Sequence, residues 1–468
     1  MRKNKDLTQG PIFPLMVGIA LPMMIGMTAH MFQSIIDGVF VTRLGIEESL
    51  AVLNYGFPFF YLIFAVFNGL TSGSTSVIAR LIGSQEKERA ENTLSQIVWV
   101  ALGIFLVFIV VYPVALPLYL AAQKASALGS ALTKTYLNTL FLGVPFLILA
   151  LLWGSGLRAE GNTRTLMMGM VFGTLANIVV APFLIFSHFH FAGIEWKGLG
   201  LSVAGAGYAS LFANFLTALV VISIYLRKKT ALRLVLWPNW SERSGLIDAF
   251  KVGLPSIFSQ SLLGINIFIF SRLASDFGPA AKAAIGIVSR LETLAVFPAL
   301  SIMVATLTLV GQNFGAKRFD RVEQSVRLGL VTAFFTLAAI GILVHFLRIR
   351  LIQTFQPDLE TLHSATHYLG ITTLGYGFVG ISIVSSGAFQ GLGRGLPFLF
   401  LNTTRLVFIA SPLGYFLANT KGEYALHYAP LIASGITAFI SAAWILSAVR
   451  NLRHGPSAIA TLPISAST

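Results

Sequence analysis

Long apolar segments recur along the whole chain, and they constrain the fold more than any other feature of the sequence. Hydrophobic residues make up 55% of the composition and charged residues only 11%, whereas soluble domains carry about 25% charged residues. Each segment is long enough to cross the roughly 30 Å hydrocarbon core of a bilayer as a helix. We therefore predict an all-α integral membrane protein with about twelve transmembrane helices, near residues 12–43, 50–80, 93–121, 131–157, 163–187, 197–226, 245–276, 281–312, 323–351, 362–391, 395–418 and 424–450.

The first apolar run and the absence of several motifs indicate what kind of membrane protein this is. The run is about twice as long as the apolar region of a secretory signal peptide and no cleavage site closes it, so we expect a retained helix. The chain has 0 cysteines and contains neither a GxxxxGK[ST] loop nor an HExxH motif. His363 and His367 have the i, i+4 spacing of metal ligands but lack an accompanying Glu. We expect no catalytic residues, no cofactor and no metal site.

The net charge of +14 comes from short basic clusters in loops. These clusters fall between alternate pairs of apolar runs, at residues 2–5, 80–89, 158–164, 227–233, 315–321 and 450–454. Such alternation is typical of loops that stay on the cytoplasmic side of a membrane. We expect a multi-pass protein of the cell (inner) membrane, with both termini in the cytoplasm and no nucleic-acid partner.

The two halves of the chain resemble each other. Gly83 in "IARLIGSQEKERAEN" matches Gly315 in "LVGQNFGAKRFDRVEQ", and Gly161 in "LRAEGNTR" is placed on Gly391 in "AFQGLGRG". Matches in chain order at nearly one offset indicate a duplication.

Because each half crosses the membrane six times, the second half begins on the same side of the membrane as the first. The halves are then parallel repeats about an axis along the membrane normal. We predict an N-terminal six-helix bundle (1–226), a cytoplasmic linker (227–244) and a C-terminal six-helix bundle with a short cytoplasmic tail (245–468). Two such bundles enclose a cleft that can open to either side, as in secondary transporters.

Asp37 places a carboxylate near the end of the first apolar run, in "HMFQSIIDGVFVTRLG". A charged Asp costs about 2.5–3.5 kcal/mol at the centre of a transmembrane helix. Gln33 and Ser34 lie on the same side of the helix by i, i+3 and i+4 spacing, which predicts a polar face towards a cavity. A carboxylate there can take up a proton or attract a cation, so one residue can couple two cargoes by competition. The alternative is that Asp37, close to Arg43, is solvated at the membrane interface.

Two further features of the first helix concern motion and cargo. Pro22 lacks a backbone donor and crowds the carbonyl of Gly18, which predicts a kink that is either a hinge responding to Asp37 or a static packing feature. Met23, Met27 and Met31 form a stripe at i, i+4 spacing. Flexible thioether side chains suit a cavity that accepts varied apolar cargo, and ordinary packing gives the same pattern.

Charged residues also occur inside the eighth apolar run. Arg290 and Glu292 are about 200° apart around a helix axis, so each needs a different partner. We predict structural, interhelical roles for both residues.

Five motifs follow one another in a recognisable order: "IIDGVFVTRLG", "IARLIGSQEKERAEN", "LRAEGNTRT", "SRLETLAVFPALSI" and "GQNFGAKRFDRVEQ". In order and spacing they resemble the multidrug and toxic compound extrusion (MATE) family, more closely its DinF-like prokaryotic branch. The resemblance runs from about Leu15 to Arg450. It implies two six-helix bundles arranged as a V, alternating access, and export of organic cations in exchange for H+ or Na+.

The resemblance also implies roles for individual residues. Asp37 and Pro22 fall on the aspartate and the proline of the family's first helix. Asn177 and Ser210 fall on members of its cation site, whereas Ala181 in "NIVVAP" replaces a family aspartate. Because Na+ takes several oxygen ligands, the loss of that carboxylate favours H+ as the coupling ion.

The leading functional hypothesis is a monomeric secondary antiporter in the lipid bilayer. It would export small hydrophobic organic cations by alternating access, coupled to inward H+ movement at Asp37. An alternative is a flippase for a lipid-linked saccharide or another amphipathic lipid, whose pyrophosphate would need cleft-facing basic residues such as Arg272 and Arg405. A membrane-embedded enzyme or assembly factor is a further alternative, which the repeated halves without a metal or nucleophile motif disfavour.

Overall fold

The computed structural model describes residues 6–46, 49–191 and 193–452. The predicted features at residues 2–5 and in the tail after residue 452 lie outside the described residues. The helices are α1 (Ile12–Thr42), α2 (Ser49–Gly83), α3 (Lys87–Ala122), α4 (Ala127–Leu142), α5 (Val144–Ala159), α6 (Thr163–Ile185), α7 (Val203–Leu226), α8 (Ser244–Ala274), α9 (Pro279–Gly315), α10 (Phe319–Gln353), α11 (Leu359–Thr372), α12 (Tyr376–Gly391), α13 (Leu396–Thr403), α14 (Ser411–Lys421), α15 (Glu423–Leu426) and α16 (Tyr428–Asn451).

Eleven segments of the described chain are long and apolar enough to span a bilayer, and α4 with α5 makes a twelfth span that bends by 45°. Pro145 lies in the first turn of α5 and follows Gly143 between the two helices. Because proline lacks the backbone donor that would continue α4, the span breaks there. The predicted all-α membrane fold is confirmed, with six spans before the linker and six after it.

Two later spans are interrupted without a large bend. A 3-10 turn, Thr373–Gly375, joins α11 to α12, and a π-helical segment, Thr404–Ala410, joins α13 to α14. The π-helical segment widens the helix by holding an i→i+5 hydrogen-bonding pattern over 7 residues. Such segments are rare and are frequently located at functional sites.

A β-hairpin lies between α6 and α7, in the stretch that the sequence leaves between its fifth and sixth predicted helices. The sequence predicts that the sixth helix begins near residue 197. Strand β1 (His188–Phe191) pairs antiparallel with β2 (Ile194–Lys197), with His188 opposite Lys197. The alternating sequence His-Phe-His-Phe suits a strand whose successive side chains point to opposite faces. The predicted start of the sixth apolar helix is therefore wrong, and α7 begins at Val203.

The repeat is visible in the structure where α2 meets α9. A methyl group added at Gly83 would lie 2.0 Å from the carbonyl oxygen of Gln312, and one added at Gly315 would lie 2.0 Å from that of Arg80. The two contacts are reciprocal, because Arg80 and Gly83 are the counterparts of Gln312 and Gly315. A side chain at either glycine would force the helices apart, so glycine is required at both positions.

Hydrogen bonds between the bundles repeat the same symmetry. The Ser76 hydroxyl donates to the carbonyl of Gln390, and the Thr308 hydroxyl donates to the carbonyl of Arg158 at 3.2 Å. Both pairs follow the offset that relates Gly83 to Gly315. The duplicated halves therefore contact each other through corresponding residues.

The second predicted match, Gly161 with Gly391, is shifted by two residues in the structure. Gly161 has φ +79° and Gly393 has φ +80°. Their amides donate to the carbonyls of Arg158 and Gln390, respectively, in the same turn geometry. A left-handed residue after a helix favours glycine, so the geometric equivalent of Gly161 is Gly393, and the sequence match was displaced by the additional glycine at 391.

Both described chain ends lie at one membrane face with the connections at 84–86, 160–162, 227–243 and 316–318; we call this the base face. Next to it, Leu15 and Met16 of α1 share an apolar cluster with Leu309 and Val326 of the other bundle. The bundles are therefore tightly packed in this half of the molecule.

The cleft between the bundles opens away from the base face. At mid-depth the Ser301 hydroxyl of α9 contacts the sulfur of Met27 on α1 at 3.8 Å. Beyond that depth, Ser34 on α1 and Thr293 on α9 are exposed. The cleft is closed at the base face and open at the opposite face.

The linker lies along the base face of the N-terminal bundle. The Glu160 carboxylate accepts backbone N–H bonds from Ala231 at 3.0 Å and from Leu232 at 2.8 Å. Burial raises the pKa of Glu160 to about 7, because desolvation disfavours the charged form more than the two backbone donors favour it. Glu91, which is also buried, accepts the backbone N–H of Arg233 at 2.8 Å. Two buried carboxylates thus fix the start of the connection between the bundles.

Candidate functional site

The candidate site lies inside the N-terminal bundle, where α1, α6 and α7 meet. Close contacts at glycine hold the helices together: a methyl group at Gly26 would lie 3.3 Å from the Met167 Cα, and one at Gly173 would lie 2.7 Å from the Ala213 carbonyl oxygen. Asp37 is only 6% exposed although α1 ends soon after it, at Thr42. The structure therefore excludes the alternative of a carboxylate solvated at the interface.

Asp37 is held by two donors from neighbouring helices. The Ser210 hydroxyl of α7 donates to Oδ2 at 3.1 Å. The Asn177 amide of α6, oriented so that both its polar groups find partners, donates to Oδ1 at 2.9 Å and accepts the Ser210 backbone N–H at 3.2 Å. An ionised carboxylate only accepts hydrogen bonds, so this arrangement suits the charged form. The structure thus brings together the three residues that the family resemblance implied.

Apolar side chains lie beside this carboxylate. Ala181 lies one turn beyond Asn177 on α6 and is fully buried in one cluster with Val41 and Ala206. Within the described ranges, no three His, Asp or Glu side chains meet closely enough to hold a metal ion. Asp37, Asn177 and Ser210 thus supply one carboxylate, one amide and one hydroxyl.

Gln33 extends the polar face by one turn. It is 6% exposed, and its Oε1 accepts the Thr174 hydroxyl of α6 at 3.3 Å. Sequence reasoning missed Thr174, although its i, i+3 spacing to Asn177 puts both on the face that meets α1. It also missed Tyr136 of α4, which interacts electrostatically with Asp37. Nothing in the sequence connects Tyr136 with α1.

Ser34 is a correction to the predicted polar face. Asp37 and Gln33 are buried against α6 and α7, whereas Ser34 is exposed. The two faces of α1 differ because one packs inside the bundle and the other borders the cleft. Ser34 therefore belongs to the cleft and not to the carboxylate site.

The two predicted methionines lie at the cleft as well. Met27 is half-buried and contacts Ser301 of the other bundle, and Met31 follows one turn later, also half-buried. Met23 differs, because it is fully buried in the core of the N-terminal bundle. Only part of the methionine stripe can meet a cargo.

Pro22 is buried within an unbroken α1. Because proline has no N–H, the carbonyl of Gly18, one turn earlier, lacks its usual helical donor. The Thr163 hydroxyl at the start of α6 donates to the carbonyl of Ile19 at 2.9 Å. Pro22 is therefore accompanied by a side-chain hydrogen bond between α1 and α6, the helix that carries Asn177.

Arg290 and Glu292 point to different surroundings, as their spacing predicts. Arg290 is exposed, whereas Glu292 is half-buried and interacts electrostatically with Arg405 in the C-terminal bundle. Neither residue approaches the Asp37 site, which lies in the other bundle.

Two repeated six-span bundles around a cleft closed at one face define a membrane transporter built on parallel repeats. The MatE family model matches residues 22–183 and again residues 255–416, once in each bundle. The chain belongs to this multidrug and toxic compound extrusion family of transporters.

Curated relatives and solved structures agree with this assignment. The chain is 26% identical over 440 residues to an FAD transporter of Shewanella oneidensis, covering 90% of this chain and 92% of that protein. It is 25% identical over 389 residues to the multidrug export protein MepA of Staphylococcus saprophyticus, covering 82% of each. A MATE crystal structure in complex with MaD5 has a TM-score of 0.89 at 25% identity and covers 97% of this chain and 100% of that chain.

Proposed function

We propose that this transporter exports small hydrophobic organic cations as a secondary antiporter, driven by inward H+ movement at Asp37. The observation that carries the proposal is a single buried carboxylate, fixed by Asn177 and Ser210 at the end of an apolar bundle. Ionisable residues inside membrane bundles mark ion pathways and proton relays.

The composition of the site favours H+ over Na+. A hard cation such as Na+ is held by several oxygen ligands, and here Ala181 supplies none. A proton needs only the carboxylate. When Asp37 is protonated, its O–H can donate to the Ser210 hydroxyl, which can reverse its role from donor to acceptor.

Coupling follows from charge. The ionised carboxylate attracts a cationic cargo into the bundle, and protonation removes that attraction. Pro22 and the Thr163 hydrogen bond lie on the same pair of helices as Asp37 and Asn177, so a change at the site can alter how α1 packs against α6. The cargo is then released into the open cleft.

The base face is assigned to the cytoplasm. It carries the basic residues at the connections, including Lys87 and Arg89 in the first turn of α3 and Lys317 and Arg318 before α10. Cytoplasmic loops are enriched in Lys and Arg. Both termini are then cytoplasmic, and a cleft closed at the base face corresponds to the outward-open state.

Relatives leave the cargo open, because one is an FAD transporter and another a multidrug export protein. The flippase alternative gains no support from Arg272, which ion-pairs with Asp276 at 2.5 Å and is exposed. Of its two candidate arginines, only Arg405 remains inside a bundle.

The proposal is tested by transport of a cationic dye in proteoliposomes under a pH gradient, with and without Na+. We expect dye movement in the wild type that requires the proton gradient and does not respond to Na+. Asp37→Asn should insert normally and abolish the movement, because the neutral amide cannot exchange a proton.

The matched control is Asp276→Asn, which makes the same chemical change at an exposed position and should transport like the wild type. Normal proton-driven export by Asp37→Asn would disprove the coupling role. A requirement for Na+ instead of the pH gradient would disprove the choice of ion.

A further inference from the structure

A second polar cluster lies inside the C-terminal bundle, away from Asp37. It consists of Glu292 on α9, Thr372 at the end of α11, Tyr376 at the start of α12 and Arg405 in the π-helical segment. We call it the C-bundle cluster. The antiport step at Asp37 makes no use of it.

Packing and charge bring these residues together. Tyr376 shares an apolar cluster with Ala295 and Ala299, the two turns of α9 that follow Glu292. Glu292 interacts electrostatically with both Arg405 and Tyr376. Four helical segments therefore meet around one carboxylate and one guanidinium.

Two polar atoms of the cluster are buried without a hydrogen-bond partner. They are the Tyr376 Oη and the Arg405 Nε, whereas the Thr372 hydroxyl hydrogen-bonds to Glu292. Native interiors satisfy nearly all such atoms. Two unsatisfied donors on neighbouring segments mark a place where a further polar group can bind.

The chemistry of these atoms identifies the missing group. Arginine Nε–H can only donate, and the Tyr376 hydroxyl can donate as well. Arg405 and Glu292 are half-buried, and a charged side chain inside a membrane bundle faces the interior or a cavity. The group that complements these two donors and the guanidinium is an anionic oxygen group.

The π-helical segment holds Arg405 in place without occupying its Nε. The carbonyl of Leu406, the next residue, accepts from the Asn266 amide at 3.1 Å and from the Ser411 hydroxyl at 2.7 Å. The widened backbone is thus fixed by polar contacts from α8 and α14. The unsatisfied donor belongs to the side chain and not to a strained backbone.

We propose that the C-bundle cluster is an anion subsite, which receives a carboxylate or phosphate group of the cargo. Glu292 compensates the charge of Arg405 when no anion is bound. The inference rests on the proposed export function and deepens it, because it extends the cargo class to amphiphiles that carry an anionic group beside an apolar or cationic body.

The test uses two rhodamine dyes that differ only by an ester. Rhodamine 6G is a cationic ethyl ester, and rhodamine 19 is the corresponding free acid, a zwitterion. Dissociation constants are measured by fluorescence polarisation with purified full-length protein in detergent. We expect the preference for the acid over the ester to fall about tenfold in Arg405→Gln, with ester binding unchanged.

Two further variants keep the test decisive. The double variant Glu292→Gln/Arg405→Gln removes both charges, so it leaves no unpaired carboxylate if the single variant fails to fold; it should lose the same preference. The matched control Arg272→Gln changes an exposed arginine and should keep it. An equal loss in Arg272→Gln overturns the proposal, and an equal preference in wild type and the Arg405 variants excludes a carboxylate as the group that binds.

A second pair of probes separates phosphate from carboxylate. Flavin mononucleotide differs from riboflavin by one phosphate, and its binding is measured in the same variants by flavin fluorescence. A preference that depends on Arg405 in either pair supports the subsite and identifies the group it binds. If the preference depends on Arg405 in neither pair, the proposal is overturned. These binding ratios are measured without a proton gradient, so they test only the subsite. A failure of proton-driven transport would overturn only the proposed function.

Discussion

The polar centres of the two bundles differ, although the bundles arose from one repeated unit. In the N-terminal bundle, Asp37 has a donor at each carboxylate oxygen and apolar side chains beside it. In the C-terminal bundle, Arg405 and Tyr376 retain buried donors without partners. A complete site suits a small ion such as a proton, whereas an incomplete one suits a larger group that arrives with the cargo.

The same two halves remain alike where they touch each other. Gly83 and Gly315 make reciprocal contacts, and the hydrogen bonds of Ser76 and Thr308 are equivalent. At each of the two glycines the backbone of the opposite helix leaves no room for a side chain, so both copies keep glycine. The interior of each bundle does not contact its counterpart in this way, and the polar centres there differ.

The largest expected effect comes from breaking this shared contact. Gly83→Val and Gly315→Val each place a side chain against a backbone carbonyl that a methyl group would approach to 2.0 Å. We expect each to lower the melting temperature strongly, at a cost above about 3 kcal/mol, and to a similar extent. Thermal unfolding in detergent measures this.

Gly103→Val is the matched control, because a methyl group at Gly103 meets nothing within 4 Å. It should unfold close to the wild type. Wild-type stability in only one of Gly83→Val and Gly315→Val would show that the contact is not shared equally.

A second effect comes from Glu160, which binds the linker at the base face of the N-terminal bundle. Glu160 has a pKa of about 7, above its ordinary value of 4.5. The native state therefore holds the proton more tightly than the unfolded state does. Its contribution to stability is present below pH 4.5, falls by up to about 3 kcal/mol as the pH rises to 7, and is constant above.

Glu160→Gln should remove this dependence while keeping one acceptor for the linker amides of Ala231 and Leu232. Melting temperatures at intervals from pH 4.5 to pH 8 measure it, with Glu88→Gln, on the exposed side of α3, as the control. A pH profile of Glu160→Gln identical to that of the wild type would contradict the assignment.

A smaller effect is expected from the Asp37 site itself. Asn177→Ala removes the donor to Asp37 Oδ1 and the acceptor of the Ser210 N–H. Leaving buried polar groups unsatisfied costs about 1–3 kcal/mol, which corresponds to a loss of about tenfold or more in proton-driven dye export. Asn138→Ala, at an exposed asparagine bonded to Tyr112, should keep wild-type export. Equal export by both variants would mean that Asn177 does not support Asp37.

The smallest effect should come from the surface of the C-terminal bundle. Arg272→Gln breaks the exposed ion pair with Asp276, and exposed pairs contribute about 0–1 kcal/mol. We expect a change in melting temperature of no more than a few degrees. A large loss would mean that this pair closes a structural contact at the open face.

The sequence predicted the membrane class, the number of spans and the repeat, because these follow from composition and periodicity. It misplaced the partner of Gly161, since two glycines two residues apart at 391 and 393 match equally well without backbone angles. It also began the sixth apolar helix near residue 197, before α7 starts at Val203, because a few residues carry too little periodicity to locate a helix end.

At the site, Asp37, Gln33, Asn177 and Ser210 were predicted and lie together. Ser34 was predicted with them and lies on the cleft-facing side of α1. The i, i+3 and i+4 rule places residues on a broad side of a helix, but the boundary between a buried and an open face depends on which helices pack there.

The sequence by itself therefore determined that this chain spans a membrane as two related bundles with a carboxylate in the first helix. Hydropathy and local spacing are properties of the chain and need no partner. Only the tertiary structure decided that Asp37 is buried by α6 and α7, that the cleft is closed at the base face, and that Arg405 lies near enough to Glu292 for the two charges to interact. Those facts depend on contacts between residues far apart in sequence, which arise when the helices pack.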